Sequence, residues 1–374
     1  MKRFSLTDQI GGESRLFFSS KRYGFPIVVI ALTVLLTVMG NQNLASATFN
    51  SKFLQLPSNQ VNWSIIGFTV IFLSVFLSSF FCLERLWPLC LAIIFGSLVA
   101  VLRFGEEINF STRWFETPFG SIQPSEISKP LMVIVLAALF EKLRPGFFFL
   151  AIPAGITLGA AFLIFLEPDF GTALIFIFLF FVLYWMNVKD RGQLLRALLA
   201  SGVFGILLWF FGLRDYQKAR IIAFLYPEKA PDTYYHTQQS ITMVGSGGLY
   251  GKGYLQGPGN IYGYIPADHT DFVLAVFAEE RGFFGLCFFI AIWVVLLLAV
   301  LREAQRKSGF AKNLLLGVFS IFFFQTFFNM AMVLGIAPVT GIPLPFFTYG
   351  GSSMLANSLL IGLALYAWNK GEIR

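Results

Sequence analysis

The chain has 374 residues, of which 56% are hydrophobic and only 13% charged, against a usual charged share of ~25%. So little charge cannot cover the surface of two or three soluble domains, and 46 Phe exceed what one soluble core would bury. Disordered, collagen-like and disulfide-framework classes are excluded as well, and the net charge of +7 matters mainly through the loops that carry it.

A bilayer core needs ~20 mostly apolar residues per helix. Ten such segments follow one another: 25–42, 61–82, 86–103, 127–141, 147–166, 170–187, 194–213, 272–301, 312–336 and 352–369. The predicted fold is an all-α membrane protein, a polytopic bundle of ten transmembrane helices. One domain covers 25–369, between an N-terminal segment, 1–24, and a tail, 370–374. The apolar run from Phe25 to Met39, followed by Ala45-Ser46-Ala47, resembles a cleavable signal peptide. The long segment before it and the nine spans after it favour a signal anchor instead. The fourth span is short, opens at Ser125-Glu126 and carries Pro130 in its first turn.

With the N-terminus inside, 17 of the 27 Lys and Arg fall on the inside segments and the rest on much longer outside ones. The positive-inside rule then places both termini in the cytoplasm. The inside connections are short and basic. The outside carries 103–126, the Glu167-Pro168-Asp169 turn, a large loop 214–271 between spans seven and eight, and 337–351. Long loops with a pattern of their own carry function more often than short turns. The three Cys and two His are scattered and form no zinc or iron–sulfur ligand set.

In the first outside segment Arg113-Trp114 precedes Gln123-Pro124-Ser125-Glu126-Ile127-Ser128-Lys129-Pro130. Ser125 suits the N-cap of span four and Glu126 its dipole, while Glu126 and Lys129, three apart, share a face and can pair. In Glu167-Pro168-Asp169, two carboxylates at a membrane boundary call for water, cations or partners, and Asp169 can equally cap span six. The large loop begins Arg214-Asp215-Tyr216-Gln217-Lys218-Ala219-Arg220 and continues into a tract with eight Gly from Gly245 to Gly263. That tract fails the phosphate-loop pattern, because Ser246 stands where the first Gly belongs and Gly253 where Ser or Thr belongs. It reads as a flexible, backbone-exposed loop. Asp271 follows, at the boundary of span eight: either a helix-start carboxylate or a general base whose pKa is raised near the membrane surface. Glu279 and Glu280 lie deeper, with Arg281 as their local partner. Last, 338–353 holds three Pro and three Gly in sixteen residues, which excludes regular helix. It should re-enter or cap the bundle, with Ser352 or Ser353 capping span ten. No GxSxG with a paired His accompanies it.

Together RW…QPSE..KP, EPDFGT, the GGLYGKG loop with HTDF…AEERGFFG, and PVTGIPLPFFTYGGSS resemble the SEDS (shape, elongation, division, sporulation) family, in the family's order from about 113 to 353. PVTGIPLPF and YQKARIIAFLYPE resemble its RodA-like elongation branch more than its division branch. Arg281 departs from the family's pattern, which commonly has a small or apolar residue there. The resemblance implies a peptidoglycan glycosyltransferase that polymerises lipid II outside the bacterial cytoplasmic membrane. It implies a class B penicillin-binding protein as crosslinking partner, contact with elongation and cytoskeletal cell-shape proteins, and no nucleic acid. It assigns the catalytic base to Asp271 and functional positions to Trp114, Glu126 and Lys129.

The chemistry agrees with that layout. A sugar 4-hydroxyl attacks the anomeric carbon of a second lipid-linked disaccharide and expels polyprenyl pyrophosphate. Turning an α-linked donor into a β-linkage needs one inverting displacement and one base. Pyrophosphate leaves as an anion, so cations replace the acid that a hydrolase needs. Arg113, Lys129, Lys218 and Arg220 are available, with Lys129 and Arg220 foremost. A divalent cation (Mg or Mn) held by Asp169 or Glu126 would serve the same end, and no organic cofactor is expected. A lipid II flippase and a non-catalytic scaffold are the rival readings. A flippase predicts paired broken helices and an internal repeat, and no obvious repeat is present.

Overall fold

The computed structural model describes residues 24–49, 54–77, 82–108, 111–117, 120–144, 146–188, 192, 195, 202, 215–262 and 271–370. Among the described residues three apolar helices come first: α1 (Gly24–Ala47), α2 (Leu56–Leu77) and α3 (Trp87–Phe104). A small antiparallel sheet follows, of β1 (Glu106–Ile108), β2 (Ser111–Thr117) and β3 (Gly120–Ile122), with β2 in the middle. Then come α4 (Pro124–Lys142), α5 (Phe147–Leu166) and α6 (Phe170–Asn187). The large loop holds α7 (Asp215–Leu225), α8 (Pro231–Ser246) and the single turn α9 (Pro258–Ile261). The chain ends with α10 (Val273–Ala304), α11 (Gly309–Val333) and α12 (Gly351–Asn369).

Eight of these helices are long and apolar enough to cross a membrane: α1, α2, α3, α5, α6, α10, α11 and α12. They correspond to predicted spans one to three, five, six and eight to ten, with ends moved by a few residues. Predicted span seven, 194–213, and the basic segment 1–22 lie outside the described residues, apart from two isolated positions. The fourth predicted span is α4, which has the length of a span but carries Glu126, Lys129, Glu141 and Lys142. It is the axis of the bundle. Fifteen of its nineteen residues are buried, and α3, α5, α6, α11 and α12 all pack against it. A helix enclosed by other helices meets no lipid, so it tolerates polar residues that a lipid-facing span would not.

The sheet has no counterpart among the sequence expectations. It pairs Glu106 with Trp114 and Phe115 with Ile122, and it rests on α3, α4 and the start of α12. The 338–353 segment does cap the bundle: Ile342, Leu344, Phe346 and Phe347 are all buried.

The glycine tract departs from expectation in a physically informative way. α10 is broken at Gly282, whose backbone (φ 67°, ψ −165°) is not helical. The groups freed by the break are taken up by 248–253. Phe283 and Phe284 donate to the carbonyls of Gly248 (2.8 Å) and Leu249 (3.1 Å), while Lys252 and Gly253 donate to those of Glu279 (3.0 Å) and Glu280 (3.1 Å). A Cβ on Gly251 would collide with the Glu280 carbonyl, and one on Gly282 with the backbone of Leu249 and Gly251. These glycines let two backbones meet directly. They form a packed joint instead of a flexible loop. The same joint corrects the partner of the Glu pair. Glu279 accepts from Ser246 Oγ (3.0 Å) and the Gly259 N–H, and Glu280 from Ser46 Oγ and the Leu255 N–H (3.0 Å). Arg281 instead faces the ring of Tyr254, 5.8 Å from its centroid.

Candidate active site

One cavity of about 340 Å³ opens where β2, the start of α4, the 167–170 turn, α7 and the 338–353 segment converge. Arg113, Trp114, Glu126, Asp169, Arg220 and Asp271 all stand on its wall. Of the residues proposed from sequence, Lys129 and Lys218 do not. Lys129 lies beneath the wall, 1% exposed, with its ammonium 2.6 Å from Glu126. Lys218 is half-buried on α7 and outside the cavity.

Each position has a local cause. β2 is held on both sides by β1 and β3, which fixes Arg113 and Trp114 in its middle. Asp169 is the N-cap of α6 and accepts from the Thr172 N–H (3.1 Å), as its sequence position suggested. Its other oxygen takes Gln123 Nε2 (3.1 Å) and Ser125 Oγ (3.2 Å), so one carboxylate ties α6 to the start of α4. Ser125 is therefore not a cap: α4 starts one residue earlier, at Pro124, after Gln123. Ser352 and Ser353 are not caps either, since Gly350 holds that position on α12. Ser352 Oγ accepts from the Gln123 N–H (2.9 Å) and donates to the Ser121 carbonyl (3.3 Å), pinning α12 to the strand–helix corner.

Asp271 sits just before α10, half-buried. Phe272 is the N-cap, so the Asp271 carboxylate does not occupy the capping position. Asn329 of α11 holds the backbone here, donating to the Asp271 carbonyl (3.0 Å) and to that of Ile342 (2.8 Å). Gly341, at φ +74°, lies against the carboxylate and leaves it room. Arg220 reaches the cavity from α7, with Nη1 3.4 Å from the Val339 carbonyl.

Beside the cavity, Glu167 is fully buried and neither carboxyl oxygen has a hydrogen-bond partner among the described residues. Burial pushes its pKa up to about 9; the negative charge of Asp169 adds to the rise and Arg113 opposes it. The turn thus splits two carboxylates by role: Asp169, hydrogen-bonded on the wall, and Glu167, sealed behind it. Sequence reasoning gave no role to Gln123, Gln217 or Asn329 and gave Ser352 the wrong one. An amide inside an apolar span, as at 329, was a signal that could have been used.

Among the described residues no three His, Cys, Asp or Glu side chains cluster as a metal site. Asp169 already accepts three hydrogen bonds and keeps about one lone-pair site, whereas Glu126, engaged by Lys129 through Oε1, leaves Oε2 without a hydrogen-bond partner among the described residues. One or two carboxylates, with phosphate oxygens, suffice for a magnesium-type ion, and Asp169 fits that requirement.

Residues 23–370 match the family described as "Cell cycle protein", FtsW/RodA/SpoVE. Over 273 residues the chain is 34% identical to "Peptidoglycan glycosyltransferase MrdB" of Escherichia coli K12, covering 72% of this chain and 74% of that protein. A solved structure described as "Structural coordination of polymerization and crosslinking by a peptidoglycan synthase complex" superposes with a TM-score of 0.73 at 29% identity, covering 91% of this chain and 96% of that one. The Thermus thermophilus rod shape determining protein RodA does so at 0.66 and 28%, with the same coverage.

Proposed function

The chain belongs to the FtsW/RodA/SpoVE family of cell cycle proteins, the SEDS family, and from that premise we propose that it is a peptidoglycan glycosyltransferase. It polymerises lipid II on the outer face of the bacterial cytoplasmic membrane during cell elongation. One observation carries this reading: the Asp271 carboxylate shares the wall of a single cavity with the guanidinium-bearing residues Arg113 and Arg220. A base and cations for a leaving anion are what the transfer requires.

Asp271 takes the proton of the acceptor 4-hydroxyl as its oxygen bonds to the donor anomeric carbon. The bond from that carbon to the pyrophosphate oxygen breaks, and its electron pair leaves with the pyrophosphate. Arg113 and Arg220 meet the charge that develops there, and Lys218, two residues before Arg220 on α7 and outside the cavity, would meet the substrate's outer phosphate or peptide. Trp114 offers an aromatic face to a sugar ring. Glu126 and Lys129, paired and buried, hold the start of α4 in place. A divalent cation (Mg or Mn) held by Asp169, with Glu126 adjacent, would add charge neutralisation for the departing pyrophosphate when bound. Elongation, as opposed to division, rests on the motif resemblance and on the similarity to a solved structure named for rod shape. A class B penicillin-binding protein is the expected partner, in keeping with the similarity to a synthase complex that couples polymerisation to crosslinking. The basic segment 1–22 is read first as the inside anchor, with contact to anionic lipid or cytoskeletal cell-shape proteins as the alternative.

The test uses purified protein and lipid II in vesicles, with and without the partner. Glycan chains support the proposal; translocation without chains supports a flippase; neither supports a scaffold. Asp271→Asn should cost at least ~10²-fold in polymerisation while thermal stability and partner binding persist. A variant that polymerises at the wild-type rate would remove Asp271 from the mechanism.

A further inference from the structure

The start of α10 is held by two buried amides, which come from two helices packed against it, α1 and α11. From α11, Asn329 is fully buried, and its Nδ2 donates to the carbonyls of Asp271 (3.0 Å) and Ile342 (2.8 Å). From α1, Asn43 is 4% exposed, and its Nδ2 donates to the Val273 carbonyl (2.7 Å). Carbonyls only accept, so the NH2 end of each amide is the end that can meet them. The oxygen end of each amide has no hydrogen-bond partner among the described residues. A buried polar atom left unpaired is costly, and an apolar side chain of the same size would fill the space without that cost.

Asn329 does more than anchor a backbone. Ile342 follows Gly341, and a Cβ on Gly341 would lie 3.3 Å from Asp271 Oδ2. The two hydrogens of one amide thus fix both the residue that carries the carboxylate and the segment the carboxylate lies against. Asn43 fixes the same stretch of backbone two residues on, from the other helix. Resting on the glycosyltransferase reading, we infer that Asn43 and Asn329 are positioning residues for the general base. Together they clamp residues 271–273 and set where the Asp271 carboxylate stands in the cavity. Neither lines that cavity, so they act through Asp271 and not on the substrate. Arg113 and Trp114 stand on β2 and Arg220 on α7, apart from the clamp. Losing it therefore weakens the chemical step and spares substrate affinity.

Polymerisation of lipid II in vesicles by the full-length protein, with its partner, tests this. Asn43→Leu and Asn329→Leu should each lower kcat and kcat/KM together, about tenfold, with KM changed by less than about twofold. Asn43→Ala and Asn329→Ala withdraw the same amides without adding bulk and should give the same split. Asn313→Leu is the control. That amide is as deeply buried on α11 but donates to the Ala137 carbonyl (3.4 Å), away from the cavity. Its loss should lower thermal stability and leave kcat unchanged. Wild-type kcat in the variants at 43 and 329, a rise in KM alone, an equal loss of kcat in Asn313→Leu, or failure of both the Leu and the Ala forms to fold would each overturn the clamp. A wild type that makes no glycan chains would instead remove the glycosyltransferase reading, and the clamp with it.

Discussion

Replacing Glu167 by Gln should stabilise the protein in a way that depends on pH. The carboxyl is fully buried, without hydrogen bonds, and its pKa stands at about 9 against an ordinary 4.5. A pKa raised on folding means that the folded state holds a proton which the unfolded state releases. The associated stability is fully present below pH 4.5 and is lost progressively as pH rises toward 9. At pH 8 the difference amounts to about 3.5 pH units, on the order of 4–5 kcal/mol at 1.36 kcal/mol per unit. At pH 5 it is under ~1 kcal/mol by the same relation. Gln keeps the shape and cannot ionise, so the variant escapes this loss. Thermal unfolding of both proteins in one detergent, followed by tryptophan fluorescence at pH 5, 6.5 and 8, reads the effect. The gap in Tm should open in favour of Glu167→Gln as pH rises. A gap that stays constant would mean that folding leaves the Glu167 pKa unshifted, and one that turns against the variant at pH 8 would mean that Glu167 is charged and partnered in the folded protein.

Two further perturbations probe the joint and the buried pair. Gly251→Ala adds a Cβ that meets the Glu280 carbonyl at φ +83°, whereas Gly248→Ala, at φ +58°, meets open space. The first should therefore cost at least ~3 kcal/mol and the second only ~1 kcal/mol, and denaturation of the two purified variants separates them. Lys129→Met leaves the buried Glu126 without its cation and should cost ~3–5 kcal/mol, whereas the double variant with Glu126→Gln should recover most of it. Equal Tm values for the single and double variants would show that the pair is not coupled.

Much of the fold was legible because hydropathy and length are local properties of a sequence. Spans five and six were placed at their observed limits, 147–166 and 170–187, because Gly146 and Asp169 bound them. The sheet escaped because β1 and β3 are three residues each, too short for alternation to register. The two mistaken caps share one cause. A serine near a helix start looks like a cap in sequence, but Ser125 and Ser352 found their partners on segments 44 and 229 residues away.

The site was legible as a set of residue types and illegible as an arrangement. Asp169, Glu126, Arg113, Arg220 and Asp271 come from five segments, and the chain alone does not say that they face one cavity. What brings them together is polar wiring between segment ends. Asp169 bonds to Gln123 and Ser125, Ser352 to Gln123, and Asn329 to both Asp271 and Ile342. All but the Asn329–Ile342 bond, which anchors the capping segment, fix the start of a helix, where side chains leave the apolar bundle for water. The glycine tract follows the same logic from the other side. Its spacing has no meaning until α10 breaks at Gly282, and the break has no stable form until the tract supplies carbonyls and N–H groups to meet it. Two sequence features over twenty residues apart are thus halves of one structure, and a reading that takes them one at a time assigns flexibility to a segment that is packed on both sides of the break.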